Sequence, residues 1–88
     1  MKTDFTDPFD KDVDKIKDAK VIAKTEQAIL SVENARDMRS IPKLKKLKGY
    51  RIHYRIRVGD YRIGITIEGD TVTFLRCLSR KDFYRVFP

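Results

Sequence analysis

The chain predicts an α+β fold: a small antiparallel sheet with an N-terminal αα-hairpin packed on one face, in the order β-α-α-β-β-β. Three observations carry this reading. Residues 50–62 run Tyr50-Arg51-Ile52-His53-Tyr54-Arg55-Ile56-Arg57-Val58-Gly59-Asp60-Tyr61-Arg62, with apolar and polar residues alternating before the Gly-Asp pair. Beyond it Tyr61, Ile63, Ile65 and Ile67 alternate with Arg62, Gly64, Thr66 and Glu68, and Gly69-Asp70 repeats the turn chemistry. Period-two runs on both sides of such a dipeptide are the signature of a β-hairpin with one apolar face. Upstream, apolar residues recur instead at spacings of three and four, as on a helix.

Taken in order, residues 2–6 are expected to form a short strand. Asp7-Pro8 supplies an N-cap acid followed by Pro at the first helical position. Phe9, Val13 and Ile16 then make one apolar stripe, and Asp10 and Asp12 suit the positive end of the helix dipole. Asp18 caps a second helix whose Val21, Thr25, Ala28, Ile29 and Val32 share a face and which stops near Asn34. Two such helices need a partner layer, and the Ile/Tyr/Val face of the sheet provides it. Residues 36–49 read as a connector, broken by Pro42 and ended by Gly49, with Leu44 and Leu47 anchoring inward. Strands follow at about 51–58, 61–68 and 71–78. A two-residue loop at Gly59-Asp60 pairs Val58 with Tyr61, Arg57 with Arg62 and Arg55 with Gly64. The next hairpin sets Glu68 against Thr71, Ile65 against Phe74 and Arg62 against Cys77, with Val72, Phe74 and Leu78 on the apolar face. That register turns Arg76 toward the helices, which places it at a frayed sheet edge or sets the register off by one. Ser79 to Pro88 is a short tail of bases and aromatics.

Eighty-eight residues predict one domain, 1–88. The single cysteine, Cys77, excludes an internal disulfide. No Cys/His cluster or Gly-rich phosphate loop suggests a metal or cofactor, so none is expected. No apolar run has membrane-spanning length and the N-terminus is too acidic for a signal peptide, so the expected location is the cytoplasm, with no membrane partner. The net charge of +7 is unevenly spread. Residues 1–40 carry 8 Lys/Arg against 9 Asp/Glu, net −1, whereas residues 41–88 carry 12 against 4, net +8. The basic half is the predicted sheet, and a basic face of this kind suits a polyanion, most often nucleic acid.

Strand period puts Arg55, Arg57 and Arg62 on one polar face, with Arg80 within reach from the tail. Like charges placed directly opposite cost about 0.2–1 kcal/mol per pair, so cations gathered without an acid are kept for an anion. Arginine forks grip phosphate in bidentate fashion and stay charged. Fixed cations also stabilise the charge that develops in phosphoryl transfer, and RNA brings its own nucleophile, the 2′-OH. Lys43, Lys45, Lys46 and Lys48 can clamp a nucleic-acid backbone, and Tyr84 can stack on a base or orient a phosphate. His53, the only histidine, lies among arginines and reads as a strand residue.

These residues resemble a known family. Leu47-Lys48-Gly49, Tyr54-Arg55-Ile56-Arg57-Val58-Gly59-Asp60-Tyr61-Arg62 and Ser79-Arg80-Lys81-Asp82-Phe83-Tyr84 look like hallmarks of the RelE/ParE toxins, the toxin halves of type II toxin–antitoxin pairs. The resemblance implies a RelE-like fold and a metal-independent ribonuclease that cuts messenger RNA in the ribosomal A site and is held in check by a cognate antitoxin protein. By position, it gives Arg55 and Arg57 the places of two basic residues on a strand and Arg62 that of the phosphate-binding arginine. Arg80 takes the place of a tail arginine that helps the leaving group, and Tyr84 that of a tyrosine that holds the substrate. RelE-type sites often have lysine where Arg55 and Arg57 stand. Arginine, with a pKa above about 12, is a poor proton acceptor, so charge stabilisation is the expected strategy here. Ser79 stands where many relatives have His, and no further C-terminal helix is expected beyond the tail. Two other readings are a ParE-like inhibitor of DNA gyrase and a nucleic-acid-binding module without catalysis.

Overall fold

In the computed structural model, which describes residues 1–88, the Gly59 and Gly69 turns fold the basic half as the alternation requires. Both glycines adopt positive φ, 60° and 57°, the left-handed conformation that tight hairpins demand. The elements are β1 (Lys2–Phe5), α1 (Asp7–Asp14), α2 (Ala19–Asn34), a 3₁₀ turn (Met38–Ser40), β2 (Leu44–Lys46), β3 (His53–Val58), β4 (Tyr61–Glu68), β5 (Thr71–Ser79) and α3 (Arg80–Val86). The five strands lie in the order β1-β5-β4-β3-β2. The sheet is mixed: β1 runs parallel to β5, with Lys2 against Thr71 and Phe5 against Phe74, while the other pairs are antiparallel.

The helices pack on one face. Phe9 of α1, Ile16 of the connection and Val32 of α2 bury against Ile56, Val58, Ile63, Ile65, Ile67, Val72 and Phe74. Phe5, Phe9 and Phe74 form an aromatic cluster that fastens β1 and α1 to β5, with ring centroids 4.9–5.8 Å apart. Asp18 caps α2 as expected, its carboxylate accepting from Lys20 N at 2.9 Å.

Several expectations are corrected. The N-cap of α1 is Thr6 rather than Asp7, and helical conformation begins at Asp7. The Thr6 hydroxyl accepts from Phe9 N at 3.3 Å and also lies 3.0 Å from Leu75 O as a donor. A carboxylate cannot donate, so only the hydroxyl can cap the helix and hold β5 at once. The expected connector contains β2, a three-residue edge strand on β3. The short tail of bases and aromatics is mostly helical: α3 runs Arg80–Val86, with Ser79 as its N-cap.

The β4–β5 register also differs past Ile65. Ile65 meets Phe74 as expected, but Gly64 lies opposite Arg76, Ile63 opposite Cys77 and Arg62 opposite Leu78, because a β-bulge at this point adds one residue to β5. Cys77, and not Leu78, therefore joins the core. Arg76 does turn toward the helices, where it meets the buried carboxylate of Asp12.

Candidate nucleic-acid interface

The face opposite the helical hairpin is organised in rows across the strands. Lys45, Arg55 and Gly64 lie side by side, and Arg57, Arg62 and Leu78 form the next row. His53, Thr66 and Thr73 make a third. No carboxylate stands in these rows, so the cations are offset only by backbone dipoles and solvent.

Backbone carbonyls do much of that work. Arg62 is only 8% exposed and donates from Nη1 to Gly59 O at 2.8 Å and to Tyr61 O at 2.9 Å. The β3–β4 turn thus fixes the guanidinium. Arg55 donates from Nη1 to Lys43 O at 3.0 Å. The Nε atoms of Arg55 and Arg62 are buried without a partner. A buried donor left unmatched costs about 1–3 kcal/mol, a cost a bound anion would remove. Arg57, by contrast, is exposed.

Arg80 begins α3, where its backbone N–H donates to Asp60 O at 2.7 Å and ties the helix to the β3–β4 turn. Tyr84 follows one helical turn later and is 55% exposed. Burial opposes its ionisation, but the influence of the nearby Arg62 and Arg55 guanidinium groups outweighs burial and brings the phenol below its ordinary value. Arg57, Arg62 and Arg80 line one groove of about 670 Å³, with Lys24 and Gln27 of α2 opposite. A second hollow of about 450 Å³ joins Arg80 to Asp60, Ser79, Lys81 and Tyr84.

The structure thus brings Arg55, Arg57, Arg62, Arg80 and Tyr84 together, but divides the four lysines. Lys45 stands in the Arg55 row and Lys43 lines the larger groove. Lys46 lies opposite Tyr54, a residue of the core face, and Lys48 is exposed beyond the strand. Sequence reasoning missed Lys24, which comes from the helical half. It also missed α3, although Ser79-x-x-Asp82 has the spacing of a helix N-terminus and Phe83 and Phe87 stand four apart. No group of three or more His, Cys, Asp or Glu side chains is placed to hold a metal. Chemically, the face can hold a phosphodiester against several fixed cations and one acidified phenol.

Fold and face together define the class: a small α+β protein with a cationic sheet face beside a short C-terminal helix. Residues 4–84 match the family described as the ParE toxin of type II toxin-antitoxin system, parDE. The chain belongs to this RelE/ParE family of toxins. Toxin RelE3 of Methanocaldococcus jannaschii is 60% identical over 45 residues, 51% of this chain and 51% of that protein, so the alignment spans about half of that relative. The toxin fold extends further. A chain of the RelB-RelE antitoxin-toxin complex from Methanococcus jannaschii superposes with a TM-score of 0.80 at 39% identity, covering 97% of this chain and 99% of that one. The YoeB dimer from Staphylococcus aureus shares the fold, with a TM-score of 0.72 at 20% identity over 89% of this chain and 94% of that one. No helix is long and apolar enough to cross a membrane.

Proposed function

We propose that this protein is a metal-independent endoribonuclease that cleaves messenger RNA on the ribosome and so blocks translation, and that a cognate antitoxin protein neutralises it in the cytoplasm. The observation that carries the reading is Arg62, a nearly buried cation with an unmatched Nε, standing directly opposite Arg57. In this reaction the 2′-oxygen forms a bond to phosphorus as the P–O5′ bond breaks. The 2′-hydroxyl gives up its proton, and the departing 5′-oxygen gains one. Arg55, Arg57 and Arg62 hold the phosphate and stabilise its growing negative charge. Arg80, at the start of α3, supports the leaving oxygen, and Tyr84 holds the substrate in line. Lys43, Lys45, Lys46 and Lys48 contact RNA on the ribosome. The RelB-RelE complexes of related proteins support an antitoxin partner here.

Primer extension on messenger RNA after induction tests the reading. Discrete new 3′ ends that depend on ribosomes are expected. The matched family's ParE description favours one other reading, gyrase inhibition. Gyrase inhibition without RNA cutting would establish that reading, and RNA binding without cutting would establish a non-catalytic module.

A further inference from the structure

Tyr84 is held in place by very little of its own. The residue is more than half exposed, and α3 spans seven residues, a length that is marginal for an isolated helix. The N-terminus of α3 is fastened by the Ser79 cap and by the Arg80–Asp60 backbone bond. What fastens the other end is aromatic. Phe83 is fully buried, and its ring stacks on Phe87 at 4.8 Å and meets Tyr84 edge-on at 5.2 Å.

Phe87 has a seat on the sheet. A Cβ built on Gly64 would lie 2.5–2.8 Å from three atoms of the Phe87 ring, closer than real side chains approach. Gly64 is not among the glycines of positive φ, so its backbone does not require glycine. A glycine in a strand interior weakens the strand, and a common reason to keep one is close approach by another group. Here that group is the Phe87 ring. The seat lies directly opposite Arg55 and two residues from Arg62 on the same face of β4. The other side of the ring is bounded by His53, 5.9 Å away between centroids.

We propose that Phe87, seated on Gly64, is the positioning residue that sets Tyr84 against Arg55 and Arg62. The ring touches no reacting atom in this role; it anchors the C-terminal end of α3 and thereby fixes where the phenol stands. The inference rests on the site proposed above, but its central measurement does not need RNA.

Two lesions remove the contact from opposite sides. Phe87→Ala deletes the ring, and Gly64→Ala pushes it off its seat. The displaced atoms are the far end of a side chain, so the fold should survive, which circular dichroism and thermal unfolding check. Phe87→Leu keeps an apolar group on the seat. The readout is ionisation of Tyr84, followed by ultraviolet absorbance as the difference between each protein and the same protein carrying Tyr84→Phe. In wild type the phenol should ionise below the ordinary tyrosine value. In Phe87→Ala and Gly64→Ala it should move back up, while kcat for RNA cleavage falls about 10–100-fold, the scale of a misplaced group. Phe87→Leu should restore most of both. Unchanged Tyr84 ionisation in folded Phe87→Ala overturns the proposal, as does an ordinary Tyr84 in wild type. If the wild type fails to cut RNA yet Tyr84 shifts as described, the positioning role stands and the nuclease falls.

Discussion

Asp12 and Arg76, 64 residues apart in sequence, form a two-pronged ion pair. Arg76 donates from Nε at 2.8 Å and from Nη2 at 3.1 Å, and Asp12 Oδ2 also accepts from Cys77 N at 2.9 Å. The Asp12 side chain is 5% exposed and that of Arg76 35%. The carboxylate therefore ties α1 to β5 just past the bulge, satisfying a cation and a backbone N–H together. The pairing also holds the Arg76 guanidinium more firmly protonated than usual: the hydrogen bond to Asp12 outweighs desolvation.

Breaking this tie should be expensive on one side. Arg76→Ala leaves Asp12 buried with a single N–H partner, and a loss of about 2–4 kcal/mol is expected for an uncompensated buried charge. Asp12→Ala strands Cys77 N and should cost about 1–3 kcal/mol. The double variant should be destabilised by less than the sum of the two, as residues sharing one network are. Urea unfolding of the four proteins measures this, and strict additivity would contradict the coupling.

Arg62→Ala is expected to lower RNA cleavage by roughly 10²–10³-fold, the scale for losing one preorganised donor at a developing anion. Stability should change little. Two hydrogen bonds to turn carbonyls are lost, while repulsion from Arg57 and an unmatched Nε disappear with them. Wild-type cleavage by a folded Arg62→Ala protein on programmed ribosomes would remove Arg62 from the site.

Alkaline pH offers a separate test through Cys77. The thiol is 1% exposed, and burial pushes it from an ordinary value of 9.0 up to about 11, aided by the charge of Asp12 and opposed by Thr25. A raised acid stabilises the fold below its unfolded value and loses that contribution as pH climbs through its folded one. Stability should therefore fall by about 3 kcal/mol between pH 9 and 11, on 1.36 kcal/mol per unit. Cys77→Ala should flatten this part of the curve. Thermal unfolding across that window reports it, and equal slopes for the two proteins would exclude the thiol as the cause.

Two additions to the cleavage assay address partner and metal. Saturating antitoxin should abolish cutting, since an acidic or amphipathic segment would cover the basic face. EDTA should leave the chemical step unchanged once ribosome integrity is controlled, because the side chains offer no ligand cluster. Cutting that persists at saturating antitoxin, or that stops with EDTA on intact ribosomes, would refute the respective expectation.

Much of this was legible from alternation alone. Gly59-Asp60 fixes the β3–β4 register, and with it the apposition of Arg57 and Arg62, because a one-residue slip would turn every isoleucine outward. The pairing of β1 with β5 was not legible, since nothing local in four residues names a partner some seventy positions away. Strand β2 escaped because it is three residues long, lysine-rich and preceded by Lys43 at φ 59°, so it shows no period. The bulge left a trace in Arg76, a cation aimed at the helical side, whose partner Asp12 had been assigned to the helix dipole. Helix α3 went unread because its apolar anchors, buried Phe83 and half-buried Phe87 at its C-cap, pack on the sheet's other face, which the hairpin pattern marks as polar.

The pairing of the first strand with the last has a consequence for the order in which the molecule is made. Lys2–Phe5 can dock only after Thr71–Phe74 have been synthesised, and Asp12 waits for Arg76 and Cys77. Arg80 and Tyr84 come later still. Contacts this distant in sequence close late in folding. A chain translated only as far as β4 therefore lacks its docked outer strand, Arg80 and Tyr84.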